Sequence, residues 1–250
     1  MLSRVPVPHA AARKIQGMIR NGELKPGERV PSQREFAQTL KVSRASLREA
    51  LLTLETLGLL KTEPGRGTYV SPGRPSASRH TARWRYSDSY PVADVFQTRI
   101  MLEGEIAGLS AHVLTDVQLH ALELETDAME RNWETGDLLA NVEADLEFHQ
   151  IVASACPNRM LVDLYQSVRD QLTATQIHPI PITEPARMRA SIAEHRRIVA
   201  ALQRRDAAGA TREMQNHILN TARCAGIALV GRTGIQIDLD SGAAGANPRR

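Results

Sequence analysis

Apolar positions along this chain recur mostly at the three-to-four-residue spacing of helices, and near the N-terminus this pattern predicts three short helices. The first covers residues 9–21. The second begins at a capping box of Ser32 and Glu35, and the third begins after the N-cap residue Ser43 and ends at Gly58. Short helices joined by a tight turn are typical of a helix-turn-helix.

A different pattern follows the third helix, in the stretch LLKTEPGRGTYV. It indicates two short strands joined by a glycine-containing turn, with Arg66 at the tip. Three helices followed by a small β-hairpin predict a winged helix-turn-helix over residues 1–73.

The remainder of the chain is predicted to be helical. Residues 74–91 are rich in Ser, Pro and Arg and predict a linker, residues 92–230 predict an antiparallel all-α bundle of six or seven helices, and residues 231–250 predict a flexible tail. The fold class is therefore mainly α. The individual helical patterns span 92–113, 115–134, 137–155, 158–175, 184–204 and 206–230.

The two parts carry opposite charge. Residues 1–85 contain 16 Lys and Arg against 6 Asp and Glu, whereas the remaining residues contain 15 against 22. A basic module suits a polyanion such as DNA. On the outward face of the third helix, Arg44 and Arg48 are four residues apart among small side chains, so they can reach bases or phosphates in the major groove. The alternative is a small helical domain with solvated arginines.

The order of these motifs resembles the winged helix-turn-helix of the GntR superfamily of bacterial transcription regulators over about residues 9–71. The resemblance implies contacts with operator DNA from Arg34, Ser43, Arg44, Ala45, Arg48, Gly65 and Arg66. Some relatives carry Thr or Pro after the first recognition arginine, where this chain has Ala45 and Ser46. The operator sequence therefore does not transfer.

Three bundle helices place polar side chains on apolar stripes. Asp145 and His149 share one face of ADLEFHQIVA, and His195 and His217 each lie on the inner stripe of a later helix. An unpaired buried charge is costly, so three imidazoles and a carboxylate that converge predict a divalent-metal site. The alternative is a set of core histidines, each bonded to a carbonyl or a carboxylate.

The segments DLEFHQIVASACPN, EHRRIVAALQRRD and MQNHI resemble the FCD-type ligand domain of the FadR branch of that superfamily, over about residues 92–222. In metal-binding members the matched positions are the ligands, which implies that Asp145, His149, His195 and His217 hold the metal. Zinc is the first expectation, and nickel or manganese are alternatives.

One arginine lies on the inner stripe of the first bundle helix. Arg99 shares that stripe with apolar residues, and the resemblance implies that it faces the metal cavity. A guanidinium opposite a metal would clamp a small carboxylate. The alternative is an intrahelical salt bridge from Arg99 to Glu103 or Glu105.

These features predict a bacterial DNA-binding transcription regulator, a repressor, that binds a palindromic operator as a homodimer and responds to a small organic acid. Helix 92–113 would transmit the signal, since it carries Arg99 and begins where the linker ends. The alternatives are a metal-free acyl-CoA-responsive regulator of the same branch and a metal-dependent hydrolase, for which Glu143, Glu147 and Glu194 offer no clear general base.

The composition indicates where such a protein would work. No apolar run is long enough to span a membrane, and the two cysteines, Cys156 and Cys224, are far apart, which fits a reducing compartment. We therefore expect a cytoplasmic protein associated with the bacterial nucleoid and with no membrane partner.

Overall fold

A computed structural model describes residues 7–72, 88–177 and 183–229. The expectations for most of the linker and for the tail at 231–250 fall outside the described residues. Within the described ranges, no helix has both the length and the apolar character needed to cross a bilayer.

The N-terminal unit is the predicted winged helix-turn-helix. Its elements are α1 (Val7–Arg20), α2 (Gln33–Leu40), α3 (Arg44–Thr56), β1 (Leu60–Glu63) and β2 (Gly67–Val70), with the two strands antiparallel. Ser32 and Glu35 form the capping box of α2, and the Ser43 side chain accepts a hydrogen bond from the amide of Ser46 at the start of α3. Because these side chains satisfy amides that a helix end leaves unpaired, both helices begin where the sequence predicts.

Seven further helices form the bundle in the described part of the chain, which confirms the predicted architecture. They are α4 (Val92–Ser110), α5 (Asp116–Glu134), α6 (Leu138–Ala155), α7 (Arg159–Ser167), α8 (Arg169–Ile177), α9 (Pro185–Gln203) and α10 (Ala207–Cys224). The Thr115–Gln118 capping box starts α5, and the Asn158 side chain caps α7.

Helices α4 and α10 approach each other closely because α4 carries glycines at the contact. A Cβ atom at Gly104 would lie 2.6 Å from the Gln215 side chain, and one at Gly108 would lie 2.3 Å from Thr211 Oγ1. This contact fixes α4 beside the helix that carries His217.

Three helix boundaries differ from the prediction. The pattern at 158–175 is two helices, because the backbone leaves the helical region at Val168 (φ −110°, ψ 8°) while both pieces keep an apolar face toward the bundle. The helix predicted at 184–204 begins one residue later, since Glu184 is its N-cap and Pro185 takes its first turn. The last helix ends at Cys224, shortly before Gly226 adopts a positive φ of 70°.

Helix α6 packs against both parts of the molecule. Leu139 and Val142, near its start, belong to the buried cluster of the winged helix-turn-helix. Phe148 and Val152, further along, belong to the core of the bundle. The helix that carries Asp145 and His149 is therefore shared between the two cores.

Polar contacts join α1 to the start of α6. Gln16 Nε2 donates to Asp137 Oδ1 at 2.6 Å, and Gln16 Oε1 accepts from the amide of Leu139 at 3.1 Å. Arg20 Nη1 donates to the other Asp137 oxygen at 2.6 Å. Asp137 is also the N-cap of α6, so α1 holds the first turn of α6 directly.

A second ion-pair cluster lies one turn further along α6. His9 Nε2 lies 2.5 Å from Glu143 Oε1, and Arg13 also pairs with Glu143. His9 is therefore a partly exposed residue whose partner is remote in sequence. His112 and His120 are exposed, and His80 and His178 lie outside the described residues.

Candidate metal centre and DNA-binding surface

The predicted DNA-contacting residues form an exposed surface on the N-terminal unit. Arg34, Ser43, Arg44, Ala45, Arg48, Gly65 and Arg66 are all exposed. Helix α3 presents its arginines from its first two turns, since the Ser43 cap starts the helix there. At the hairpin tip, Gly65 has a φ of 75°, which the tight turn requires, and the neighbouring arginine pairs with Glu63 at 2.9 Å. The arrangement suits a helix in the major groove with a wing beside it.

The four predicted metal ligands lie together between three helices. Asp145 and His149 come from α6, His195 from α9 and His217 from α10, and each offers a ligand atom within 4.8 Å of the others. The three imidazoles are buried and the carboxylate is half-buried. The ring centroids of His195 and His217 are 4.3 Å apart, and both lie within 5.8 Å of the His149 ring centroid.

Each imidazole has an oxygen atom close to its Nδ1 atom. His149 Nδ1 lies 2.5 Å from Glu103 Oε2, and His217 Nδ1 lies 3.0 Å from Glu194 Oε2. His195 Nδ1 lies 2.9 Å from the Ser191 carbonyl oxygen. Partners that accept at Nδ1 place the proton there, so each Nε2 keeps a lone pair for a metal.

The centre brings two hydrogen-bond acceptors face to face. Asp145 Oδ2 accepts from Gln176 Nε2 at 2.8 Å, while Oδ1 lies 3.2 Å from His195 Nε2. The Nε2 atoms of His149 and His195 are buried and have no hydrogen-bond partner among the described residues. A carboxylate oxygen beside an imidazole lone pair requires a proton or a cation between them.

The donor set fits a divalent cation. Three imidazole nitrogens are borderline donors and one carboxylate oxygen is a harder donor, a set that suits zinc and neighbouring first-row metals. Ligand atoms 2.0–2.1 Å from a tetrahedral zinc lie about 3.3 Å apart, close to the observed separation of the Asp145 and His195 atoms.

The acidic groups around the centre are held in the charged form. Burial raises the pKa of Glu103, but Arg99 and His149 outweigh it and lower that pKa to about 2. Burial likewise raises the pKa of Glu194, while His217 and Arg187 lower it to about 2. The histidines hold the pKa of Asp145 well below its ordinary value against the effect of burial. Burial, with the neighbouring His195, lowers the pKa of His217 to about 3, so this ring is neutral near pH 7.

Arg99 makes the salt bridge that was its alternative interpretation, and it also lines the cavity at the centre. Its Nε atom donates to Glu103 Oε1 at 2.7 Å and its Nη1 atom donates to Thr175 Oγ1 at 3.0 Å. The side chain is fully buried. Glu103 therefore bridges Arg99 to the ligand His149.

A second bridge of the same kind lies on the other side of the cavity. Arg187 donates to both oxygens of Glu194, at 2.8 and 2.7 Å, and Glu194 holds His217. The cavity has a volume of about 50 Å³. Its polar walls include Arg99, Asn141, Asp145, Gln176, Arg187 and Ser191.

The supporting residues were missed by the sequence patterns. Glu194 immediately precedes His195, so helical periodicity places it on another face, and only the fold brings it to His217 from a different helix. Gln176 is equally remote from Asp145 in sequence. Glu103 carried a partial signal, because it lies four residues after Arg99 on the same helix.

Both domains match models of known protein families. Residues 9–70 match the model of the bacterial regulatory proteins of the gntR family, and residues 94–220 match that of the FCD domain. The chain belongs to the gntR family and carries an FCD domain. This GntR–FCD protein is a DNA-binding transcriptional regulator and not an enzyme. Domains of these two types bind DNA and small-molecule effectors, and FCD domains often bind metal.

Individual relatives agree with this assignment. The GntR–FCD chain is 30% identical over 210 residues to the HTH-type transcriptional regulator LutR of Bacillus subtilis, covering 81% of this chain and 94% of the relative. It is 30% identical over 228 residues to the HTH-type transcriptional repressor NanR of Cronobacter sakazakii, covering 87% and 84%. The solved structure of E. coli McbR/YncC matches with a TM-score of 0.51 at 20% identity, over 89% of this chain and 98% of that chain, which supports the fold alone.

Proposed function

We propose that this regulator binds a divalent metal through Asp145, His149, His195 and His217, and that a small carboxylate effector binding beside the metal changes its affinity for operator DNA. Zinc is the preferred metal, ahead of nickel and manganese. The observation that carries the proposal is the 3.2 Å approach of Asp145 Oδ1 to His195 Nε2 in a buried site. When bound, the metal supplies positive charge and open coordination positions for an acid.

The protein residues around those positions would orient the acid. Arg99 is already paired with Glu103, so it offers its remaining N–H groups as hydrogen-bond donors within a compensated pair. The cavity is small, at about 50 Å³, which disfavours the metal-free acyl-CoA site, because such a ligand needs a large cavity.

We propose that the protein represses transcription as a homodimer on a palindromic operator. Two symmetric half-sites would each receive one α3 helix, with Arg44 and Arg48 in the major groove. Helices α4 and α7 contact each other and carry exposed apolar side chains, which supports a second copy as their partner. These side chains are Met101, Leu109, Met160 and Leu164.

The metal site is tested by elemental analysis of protein reconstituted with zinc and then desalted. We expect one zinc per chain in the wild type and in His112→Ala, whose histidine is exposed and remote from the ligand set. We expect none in His149→Ala. Retention of a full equivalent by His149→Ala would reject the site.

The regulatory function is tested on DNA selected by the purified protein from a random library. Fluorescence anisotropy would measure operator affinity with zinc-loaded and chelator-treated protein, each titrated with small carboxylates. We expect a change in DNA affinity only with zinc present. An Arg44→Ala variant should lose specific binding by about 10-fold or more, since one base contact is worth about 1–3 kcal/mol. An unchanged affinity would contradict the assigned recognition helix.

A further inference from the structure

We infer that the metal-loaded cavity selects a monocarboxylate that carries hydroxyl groups over a dicarboxylate, and that Arg187 sets this selectivity. This inference rests on the metal and effector site proposed above, and it specifies the class of acid. Its basis is the balance of charge around the cavity and the amide oxygens on its walls.

The charged groups of the centre do not cancel. Among the described residues, the carboxylates that line the cavity or hold its histidines are Asp145, Glu103 and Glu194, and the guanidiniums are Arg99 and Arg187. Histidines that ligate a metal are neutral. The protein therefore contributes one net negative charge, and a divalent cation changes this to one net positive charge.

One anionic group on the effector would cancel that remaining charge. A second carboxylate would leave the enclosed site negative, and a buried charge without a partner is costly. A neutral ligand would leave the positive charge uncompensated. The charge balance thus matches an acid with a single carboxylate.

Of the two guanidiniums, Arg187 is the one whose charge can be removed with less disturbance of the packing. Arg99 is fully buried and tied to both Glu103 and Thr175, whereas the Arg187 side chain is 20% exposed and, among the described residues, pairs with Glu194 alone. Arg187 lines the cavity without touching a metal ligand directly. Without its charge, the metal-loaded site would be neutral before any acid binds.

The walls offer acceptors for hydroxyl groups. Asn141 donates from its amide nitrogen to the Met129 carbonyl at 2.7 Å, and Gln176 donates to Asp145. In the described structure neither amide oxygen has a hydrogen-bond partner, and both residues line the cavity together with Ser191. Amide acceptors of this kind favour hydroxyl-bearing acids over plain fatty acids.

Two matched pairs of acids test the inference by isothermal titration calorimetry on the zinc-loaded full chain. They are D-glycerate with tartronate, and D-gluconate with D-glucarate. Within each pair the carbon skeleton is the same, and the terminal CH₂OH of the first acid is a carboxylate in the second. Propionate serves as the acid without hydroxyl groups. We expect at least one monoacid to bind about tenfold or more tightly than its diacid, and D-glycerate to bind more tightly than propionate.

Variants at one position separate charge from packing. At equal zinc content, Arg187→Gln should weaken the preferred monoacid by about tenfold, while Arg187→Lys keeps the charge and should keep the preference for the monoacid. Arg189→Gln, on an exposed position of the same helix, is the matched control and should bind as the wild type does.

The outcomes distinguish this inference from the function on which it rests. If the chain takes up no zinc, or if no acid binds the zinc-loaded chain, the proposed effector site is rejected and the inference with it. If acids bind but the diacids bind as tightly as the monoacids, or if Arg187→Gln leaves every affinity unchanged, the inference alone is overturned.

Discussion

Individual carboxylates lie behind the histidines of the candidate metal site and orient their rings. Glu194 holds His217 by its Nδ1 atom and is itself held by Arg187 and Asn220. Its removal would leave all four ligands in place but would free the His217 ring to rotate and to change tautomer. Residues that orient a ligand in this way contribute measurably to metal affinity.

We therefore expect Glu194→Gln to lower zinc affinity by about 10–100-fold while the stoichiometry at saturation stays the same. Competition with a chromophoric chelator would measure the affinity. The control is Glu213→Gln, whose carboxylate forms an ion pair with Arg197 on the surface. If Glu194→Gln bound zinc as tightly as this control, Glu194 would have no role in orienting His217.

The pKa shifts at the centre predict how the metal-free protein responds to acid. Glu103 and Glu194 have folded-state pKa values of about 2 against an ordinary 4.5, and His217 has about 3 against an ordinary 6.5. In each case the unfolded chain takes up a proton before the folded chain does. Stability is therefore highest above pH 6.5, falls as His217 of the unfolded chain protonates, and falls further below pH 4.5.

Urea denaturation of chelator-treated protein at several pH values between 7 and 4 would measure this decline. A single proton gives a slope of about 1.4 kcal/mol per pH unit. His217→Asn lacks the imidazole, so its decline between pH 6.5 and 4.5 should be shallower than that of the wild type. Parallel curves for the two proteins would show that His217 does not contribute.

Sequence patterns predicted the four residues that the structure brings together, but not the residues that hold them, for a physical reason. Asp145 and His149 share one helical face, and His195 and His217 sit on apolar stripes, so each departs visibly from its local pattern. Glu194 and Gln176 are polar residues among polar neighbours in the sequence. Their burial comes from the packing of α8, α9 and α10, which a one-dimensional pattern does not contain.

At the scale of the helices, the close packing of α4 against α10 depends on two glycines of α4, Gly104 and Gly108. A Cβ atom at Gly108 would meet Thr211 Oγ1 at 2.3 Å and the Ala207 carbonyl oxygen at 3.2 Å. Threonine is short and stiff, so the helices would have to separate. Gly17 in α1 is the opposite case, because a Cβ atom there would meet nothing within 4 Å.

The same substitution should therefore have opposite effects at these two sites. Gly108→Ala should destabilise the protein by about 1–3 kcal/mol through overpacking, in spite of the better helix propensity of alanine. Gly17→Ala should stabilise it by about 0.5–1 kcal/mol. Thermal denaturation monitored by circular dichroism would compare both variants with the wild type. Stabilisation by Gly108→Ala would contradict the close contact of α4 with α10.

Helix starts were easier to predict than helix interruptions. The capping boxes of Ser32 with Glu35 and of Thr115 with Gln118 each span one turn, so four residues of sequence are enough to predict the helix start. The break at Val168 has no such local signal, since the residues on both sides keep helical spacing. Its position is determined by how α7 and α8 pack separately on α4 and α6.

In the molecule as a whole, α6 connects the candidate metal centre to the DNA-binding unit. It carries two of the four candidate ligands, contributes Leu139 and Val142 to the core of the DNA-binding unit, and is held at its first turn by α1. Helix α4, which the sequence predicts as the transmitting element, carries Arg99 and Glu103. It contacts α6 through the ion pair between Glu103 and His149. No local sequence pattern predicts the α1–α6 contact, because its partners are more than a hundred residues apart.

A change at the metal centre that shifts α6 would thus change the support of α1 and the orientation of the DNA-binding unit. Gln16 is the residue to test, because it is buried and bonds both the Asp137 side chain and the Leu139 amide. Gln16→Met keeps the side-chain volume but removes both bonds. Coupling between two sites is commonly about 1–3 kcal/mol, and we expect this variant to lose a large part of the effector-induced change in operator affinity.

Fluorescence anisotropy with and without a saturating acid would measure that change, and zinc content and acid affinity should stay at wild-type values. Arg197→Ala is the matched control. It breaks an ion pair with Glu213 on the surface of the bundle and leaves the α1–α6 contact intact. A Gln16→Met variant that responds to the acid as the control does would place the coupling route elsewhere. Loss of response together with loss of zinc would instead show that α1 stabilises the site itself, because Asp137 then fixes the start of the helix that carries Asp145 and His149.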